Sequence, residues 1–330
     1  MPIIRWNEMA QVQVPLSVLA ENYIANLRGL ARSRHTIDGF TRILRSFERF
    51  VIAMGEKGTG EDLCPESVAA FRADLVAKKY KLSSVRHHIQ VLKAWSAYLA
   101  EERLYKTDPL AKRGLLPKLP KGLPKFLTDE ERAKIVEHWS EPTATTSRNL
   151  AIFFMGLDTG LRVSELAALK LADVDFRYNE VRAWGKGAKE RRAGFGKKTA
   201  SRLRSYVDFH RRRVADEHLS ENRLFLCHTG HGADGRDTIG EPLSEHGIKL
   251  IFRRVSAKLG IHVSPHMLRH TFAHDFLANG GSVADLQRLL GHESPETSLW
   301  YARVFNSDAL ERQKANSVVD KQFQRSRARV

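Results

Sequence analysis

Three prolines, at 117, 120 and 124, fall in a short stretch that also carries five lysines and arginines and no acidic residue. Proline offers no amide hydrogen and pushes its predecessor out of the helical region, so no helix can run through residues 111–125. The chain is therefore expected to fold as two bodies joined by an extended, basic connector. Its length agrees, since 330 residues exceed one ordinary compact domain and suit two. With 42% hydrophobic and 28% charged residues, both parts have material for a core.

Ahead of the connector the apolar residues recur at helical spacing. Leu16, Leu19, Tyr23, Leu27 and Leu30 predict a first helix. A second is expected from near Thr36, carrying Phe40, Ile43, Leu44, Phe47 and Val51. Pro65 suits the first turn of a third, through Val68, Phe71 and Leu75. Ser83 or Ser84 is the expected cap of a fourth, with Val85, Ile89, Leu92, Trp95 and Leu99. After the connector the pattern is mixed. Thr128 and Glu131 have capping-box spacing, and a helix is expected around 148–157. Strands are expected at 180–184 and 191–195 across a Gly-Lys-Gly turn, with a third at 224–227. The fold class is thus mainly α with a small β-sheet. A helical bundle over 12–108 and a basic linker over 109–125 precede an α+β domain over 126–304 and a tail over 305–330.

Net charge is +16 and the pI about 10.0, which favours a polyanionic partner such as nucleic acid or, more plainly, a well-solvated basic surface. Arg42, Arg45, Arg86 and Lys93, with His87 and His88, are candidates to face DNA or to form a solvated helix face. Lys118, Lys121 and Lys125 of the connector either follow a phosphate backbone or keep a linker soluble. Arg211-Arg-Arg213 reads as a solvated helix face. No run approaches the roughly 18 apolar residues of a membrane span, and the start shows no signal peptide. A cytoplasmic, nucleoid-associated protein is expected. Cys64 and Cys227 stand far apart, read as reduced core cysteines and give zinc no support; no metal or cofactor is expected.

Reactive residue types recur in order through the second half. Arg162 lies in Asp158-Thr-Gly-Leu-Arg-Val-Ser-Glu-Leu166. Lys186 lies in Trp184-Gly-Lys-Gly-Ala-Lys-Glu-Arg191, with Lys189 its competitor. His266 and Arg269 lie in Ser264-Pro-His-Met-Leu-Arg-His-Thr271, and share one side of a helix that Pro265 can start. His292 ends Leu289-Leu-Gly-His292, after a glycine expected to end a helix. Tyr301 follows nine residues later. Glu165 shares a helix face with Arg162, and either orients its guanidinium or stabilises the helix start. His270 points elsewhere, as packing or support. Guanidiniums grip phosphate oxygens bidentately, imidazoles move protons near neutral pH, and a tyrosine can attack phosphorus.

This set resembles the tyrosine recombinases, the phage integrase and Xer group, over nearly the whole chain. The resemblance implies a SAM-like core-binding bundle joined to a recombinase catalytic domain, with Tyr301 as nucleophile. Arg162, Arg269 and His292 would bind the non-bridging oxygens. His266 would accept or share the tyrosine proton, and Lys186, after the first glycine of its motif, would protonate the leaving 5′-hydroxyl. It implies a metal- and ATP-independent reaction through a 3′-phosphotyrosine and a Holliday junction. The partners implied are double-stranded DNA with inverted half-sites, a homotetramer on two duplexes and, in some relatives, a sister recombinase or a tail docked in trans. Two positions depart from the common pattern: Ala302-Arg303 where many relatives have Thr-His, and His274 where a small polar residue is common. The alternatives are DNA relaxation of the type IB topoisomerase kind and a non-catalytic DNA-binding integrase relative.

Overall fold

A computed structural model of the chain describes residues 13–111, 114–119, 125–185, 190–212, 222–230 and 238–291. The chain divides into two compact units, the first ending at Gly122.

Four helices form the first unit: α1 (Leu16–Gly29), α2 (Arg34–Ala53), α3 (Pro65–Ala77) and α4 (Leu82–Glu101). The expected apolar faces meet in one core, with Leu16, Phe47, Val68 and Trp95 fully buried. Three details differ from expectation. Leu30 follows α1 and is 60% exposed, because the helix ends one residue earlier. α2 starts at Arg34, capped by Ser33, whose hydroxyl accepts the amide of Thr36. Ser83 and Ser84 lie inside α4 rather than capping it, since the helix opens at Leu82 without a side-chain cap. Beyond α4, Leu104 and Leu110 are buried in the same core and Leu115 and Leu116 pack on it. The first part of the basic connector is hydrogen-bonded to the bundle. Arg72 Nη1 donates to the Leu115 carbonyl at 2.9 Å and Arg86 Nη1 to that of Pro117 at 2.9 Å. Lys93 Nζ donates to the Leu110 carbonyl.

The second unit contains α5 (Asp129–His138), α6 (Ala144–Thr159) and α7 (Val163–Ala168). A three-stranded antiparallel sheet follows, β1 (Val174–Asp175), β2 (Glu180–Trp184) and β3 (Glu190–Gly194), in that order. Then come α8 (Lys197–Ser205), a π-helical segment Tyr206–Arg211, α9 (Glu245–Leu259), α10 (Pro265–Ala278) and α11 (Val283–Leu290). Thr128 and Glu131 form the expected capping box of α5. The first strand of the sheet is Val174–Asp175. Residues 224–227 make only an isolated bridge, Leu226 to Pro242, so the third strand expected there does not form. That segment reads as a strand because Leu224, Phe225 and Leu226 are apolar, but they are buried as irregular chain against the core. Arg211 corrects a second expectation. It is 6% exposed and its Nε and Nη2 both donate to the Arg223 carbonyl, at 2.9 and 2.7 Å, so it braces a loop.

α6 is the central element, with Ala151, Ile152, Phe153 and Met155 buried. Gly156 admits α10 closely: a Cβ there would lie 2.6 Å from Leu268. α11 stands apart from the main core. Its Leu286 and Leu290 join only Ala273 and Leu277 of α10 in a small separate cluster, with Phe126, Phe272, Phe276 and Val283 at its edge. So small an apolar contact leaves room for polar interactions to decide where α11 sits.

Candidate active site

Three guanidiniums from distant parts of the sequence converge on the end of α11. A helix ends with carbonyls that have no intrahelical partner, and with partial negative charge. Here Arg191 Nη1 donates to the carbonyl of Leu289. Arg269 Nη2 donates to that of Leu290 at 2.6 Å, and Arg162 Nη2 to that of Gly291 at 3.0 Å. A hydrogen bond from a charged donor contributes about 1.5–3 kcal/mol. The three together fix the turn that leads directly into His292.

Local sequence sets each arginine. α6 ends at Gly160, whose φ of 57° lies in the left-handed region. A Cβ at that position would come within 2.5 Å of Phe272 and 2.7 Å of Leu290. The carbonyl of Gly160 accepts Arg269 Nη1 at 2.7 Å. Arg162 follows two residues later, at the N-cap of α7. Arg269 is carried on α10, which starts with Pro265 after Ser264, whose hydroxyl accepts the Met267 amide. It is 3% exposed. Gly291 closes α11 with φ 60°.

Glu165 is the negative centre of the arrangement, its side chain 2% exposed. Its Oε1 accepts Arg162 Nη1 at 3.0 Å, and its Oε2 accepts the Arg162 amide at 2.8 Å and Arg191 Nη2 at 2.7 Å. Glu165 thus hydrogen-bonds both the Arg162 guanidinium and the amide at the start of α7. Burial alone would raise its pKa, but the Arg191 hydrogen bond and charge, then those of Arg162, hold it below the usual carboxylate range. Of the three arginines' surroundings, that of Arg162 is the most open, its side chain 40% exposed.

His266 lies one helical turn before Arg269, exposed, with its ring edge-on to His270 at a centroid distance of 4.2 Å. Crowding of the ring by protein lowers its pKa, and the Arg269 and Arg162 charges lower it further. His270 is pushed down to about 4, by burial first and then by His266 and Arg269. Both imidazoles are thus held below the ordinary histidine range. Lys186, Lys189, His292 and Tyr301 lie outside the described residues. Among the described residues, no group of three or more His, Cys, Asp or Glu side chains is placed to hold a metal ion. No helix there is long and apolar enough to cross a membrane.

Sequence reasoning passed over Arg191, although it closes the Lys186 motif. The signal was strand parity. Arg191 pairs with Ala183 and stands two residues before Ala193, both buried, so alternation turns it inward. A charged residue on the buried face of a strand requires a partner, and Glu165 is that partner.

In the first unit, Arg42 and Arg45 are exposed on α2 and line a cavity of about 1050 Å³ with His35, Arg49, Tyr80 and His87. Arg86 and Lys93, proposed alongside them, are partly buried and donate to carbonyls of residues 110–117. Lys118 and Lys125 are exposed, and Lys121 is outside the described residues.

Residues 125–307 match the model of the phage integrase family. The chain is 32% identical over 274 residues to the tyrosine recombinase XerC of Bacillus licheniformis, covering 82% of this chain and 86% of that protein. It is 33% identical over 292 residues to the tyrosine recombinase XerA of Pyrococcus furiosus, covering 87% and 90%. Among solved structures, the XerH site-specific recombinase bound to palindromic difH substrate superposes with a TM-score of 0.66 at 20% identity, over 92% of this chain and 85% of that one. The Tn1549 transposon integrase with transposon right-end DNA gives 0.66 at 16% identity, over 91% and 99%. The chain belongs to the phage integrase family and is a tyrosine recombinase.

Proposed function

We propose that this enzyme cuts and rejoins DNA at specific sites through a 3′-phosphotyrosine intermediate. The observation that carries the reading is the convergence of Arg162 and Arg269 on the helix end that delivers His292. In the reaction, Tyr301 Oη attacks phosphorus and the bond from phosphorus to O5′ breaks. The tyrosine proton passes to neutral His266, and Lys186 protonates the departing 5′ oxygen. Arg162, Arg269 and His292 stabilise the charge that grows on the non-bridging oxygens, each such donor worth about 3–4 kcal/mol. The phosphotyrosine keeps the bond's free energy, so a 5′-hydroxyl can reverse the step without ATP.

Strand exchange between two duplexes through a Holliday junction follows from two sequential pairs of such steps on inverted half-sites bound by a tetramer. The palindromic DNA held by XerH supports the half-site arrangement. Arg42 and Arg45 on α2, with Lys118 and Lys125, are the proposed backbone contacts. A protein acting on chromosomal DNA would work in the cytoplasm. The test is the covalent adduct: wild type and Tyr301→Phe are incubated with nicked duplexes from DNA flanking the gene and run on denaturing gels. An adduct in wild type alone supports the reading, and an equal adduct in Tyr301→Phe removes Tyr301 as nucleophile.

A further inference from the structure

Arg191 lies outside the set assigned above, yet its guanidinium sits at the centre of it. Its side chain is 10% exposed. Nη2 reaches Glu165 Oε2 at 2.7 Å and Nη1 the Leu289 carbonyl, while Nε is buried and has no hydrogen-bond partner among the described residues. Its polar contacts therefore join β3 to α7 and to the last turn of α11. We propose that Arg191 is a positioning residue of the active centre: it fixes Glu165, and through it Arg162, while pinning the helix turn that precedes His292.

The argument is first one of charge. Glu165 carries one negative charge and faces two guanidiniums, Arg162 from its own turn and Arg191 from β3. The trio keeps a net positive charge, and the exposed member is Arg162. With Arg191 removed, Glu165 and Arg162 would neutralise one another. Arg162 would then be drawn onto the buried carboxylate instead of being left for a phosphate.

The second argument is one of shape. A planar fork can address a carboxylate and a carbonyl from one rigid group, which a lysine ammonium cannot do in fixed geometry. Gly291 fits the same picture. A Cβ there would stand 3.3 Å from Arg191 Cδ, so the glycine leaves the space that the fork occupies. Arg191 also ties down β3, which pairs with β2 from Trp184 and Glu190 inward; Lys186 lies in the sequence between the two strands.

This inference rests on the cleavage reading above, and one experiment separates their failures. Wild type, Arg191→Lys, Arg191→Met and Arg191→Met/Glu165→Gln are incubated with fragmented, lightly nicked genomic DNA from the organism that carries the gene. Covalent adduct is followed in time from pH 5 to 9, with DNA affinity and thermal melting measured alongside. Loss of this positioning should slow adduct formation about 100-fold in Arg191→Met at unchanged DNA affinity. Arg191→Lys should fall between. The acid limb of the rate profile should move to higher pH in Arg191→Met, because Glu165 loses the cation that most lowers its pKa, and that limb should vanish in the double variant. The double variant should also recover part of the rate, since the carboxylate that would neutralise Arg162 is gone. No adduct in wild type would overturn the cleavage reading. A wild-type adduct with Arg191→Met and Arg191→Lys at the wild-type rate and profile would overturn the role of Arg191. So would a loss that follows melting alone and is not relieved in the double variant.

Discussion

Arg162 Nη2 donates to the carbonyl oxygen of Gly291 at 3.0 Å, across 129 residues of sequence. This bond joins the first arginine motif to the turn before His292. Arg269 and Arg191 make the equivalent bonds to the two preceding carbonyls. Among the described residues the apolar contact of α11 with α10 is a small cluster, so the guanidiniums help to set the position of its last turn.

Glu165→Gln tests the negative centre of that arrangement. It leaves the buried Arg191 and the partly exposed Arg162 without a counter-charge; breaking a buried pair typically costs about 3–5 kcal/mol, and the solvent around Arg162 reduces its share. Because the folded-state pKa of Glu165 is lowered, its contribution is present above the unfolded carboxylate value near 4.3 and is lost as pH falls through the folded value. Urea titrations at pH 7 and pH 4 should show the variant much less stable than wild type at pH 7, with the gap narrowing at pH 4.

His270 adds to the same acid-side loss, beginning at higher pH. Its folded pKa is about 4, below the unfolded value near 6.5. Stability is therefore complete above pH 6.5 and declines as pH drops, because the unfolded chain takes up the proton first; the decline levels off below pH 4. His270→Gln should flatten the fall between pH 7 and 5 by about 1–2 kcal/mol, allowing for the ring's partial exposure. An unchanged slope would mean that His228, also near pH 4, carries the dependence.

Gly160→Ala should be strongly destabilising. It combines a left-handed backbone with a Cβ 2.5 Å from Phe272 and 2.7 Å from Leu290. Overpacking of this kind costs about 1–3 kcal/mol, and the left-handed conformation adds about 1. Thermal melting should register the loss, whereas Gly260→Ala, equally left-handed but with open space around it, should lose only the backbone part.

The connector offers a separate check in the first unit. Arg86→Ala removes the bond to the Pro117 carbonyl, and Arg72→Ala those to Gly114 and Leu115. The double variant should be cleaved faster by protease near residues 114–119 while the bundle core keeps its melting temperature. Equal cleavage would show that the apolar packing of Leu115 and Leu116 alone holds the segment.

Much of this was legible in the sequence because it depends on local pattern. Helix-period apolar residues, Pro65, Pro265 and the Thr128–Glu131 box each act within a few residues of themselves. The position of Gly291 at the end of α11 was readable for the same reason. What stayed hidden depends on partners far away. Arg191 and Arg211 are charged residues that burial makes structural, and their partners lie 26 and 12 residues distant. Leu224 to Leu226 carry strand-like composition, but among the described residues they make only an isolated bridge, Leu226 to Pro242.

The account turns on whether Tyr301 becomes joined to DNA. The direct measurement is mass spectrometry of tryptic peptides from protein trapped on a nicked substrate. It should find the peptide containing Tyr301 with a nucleotide 3′-phosphate attached, and no such peptide from Tyr301→Phe. A nucleotide on any other residue, or an adduct that persists in Tyr301→Phe, would contradict it.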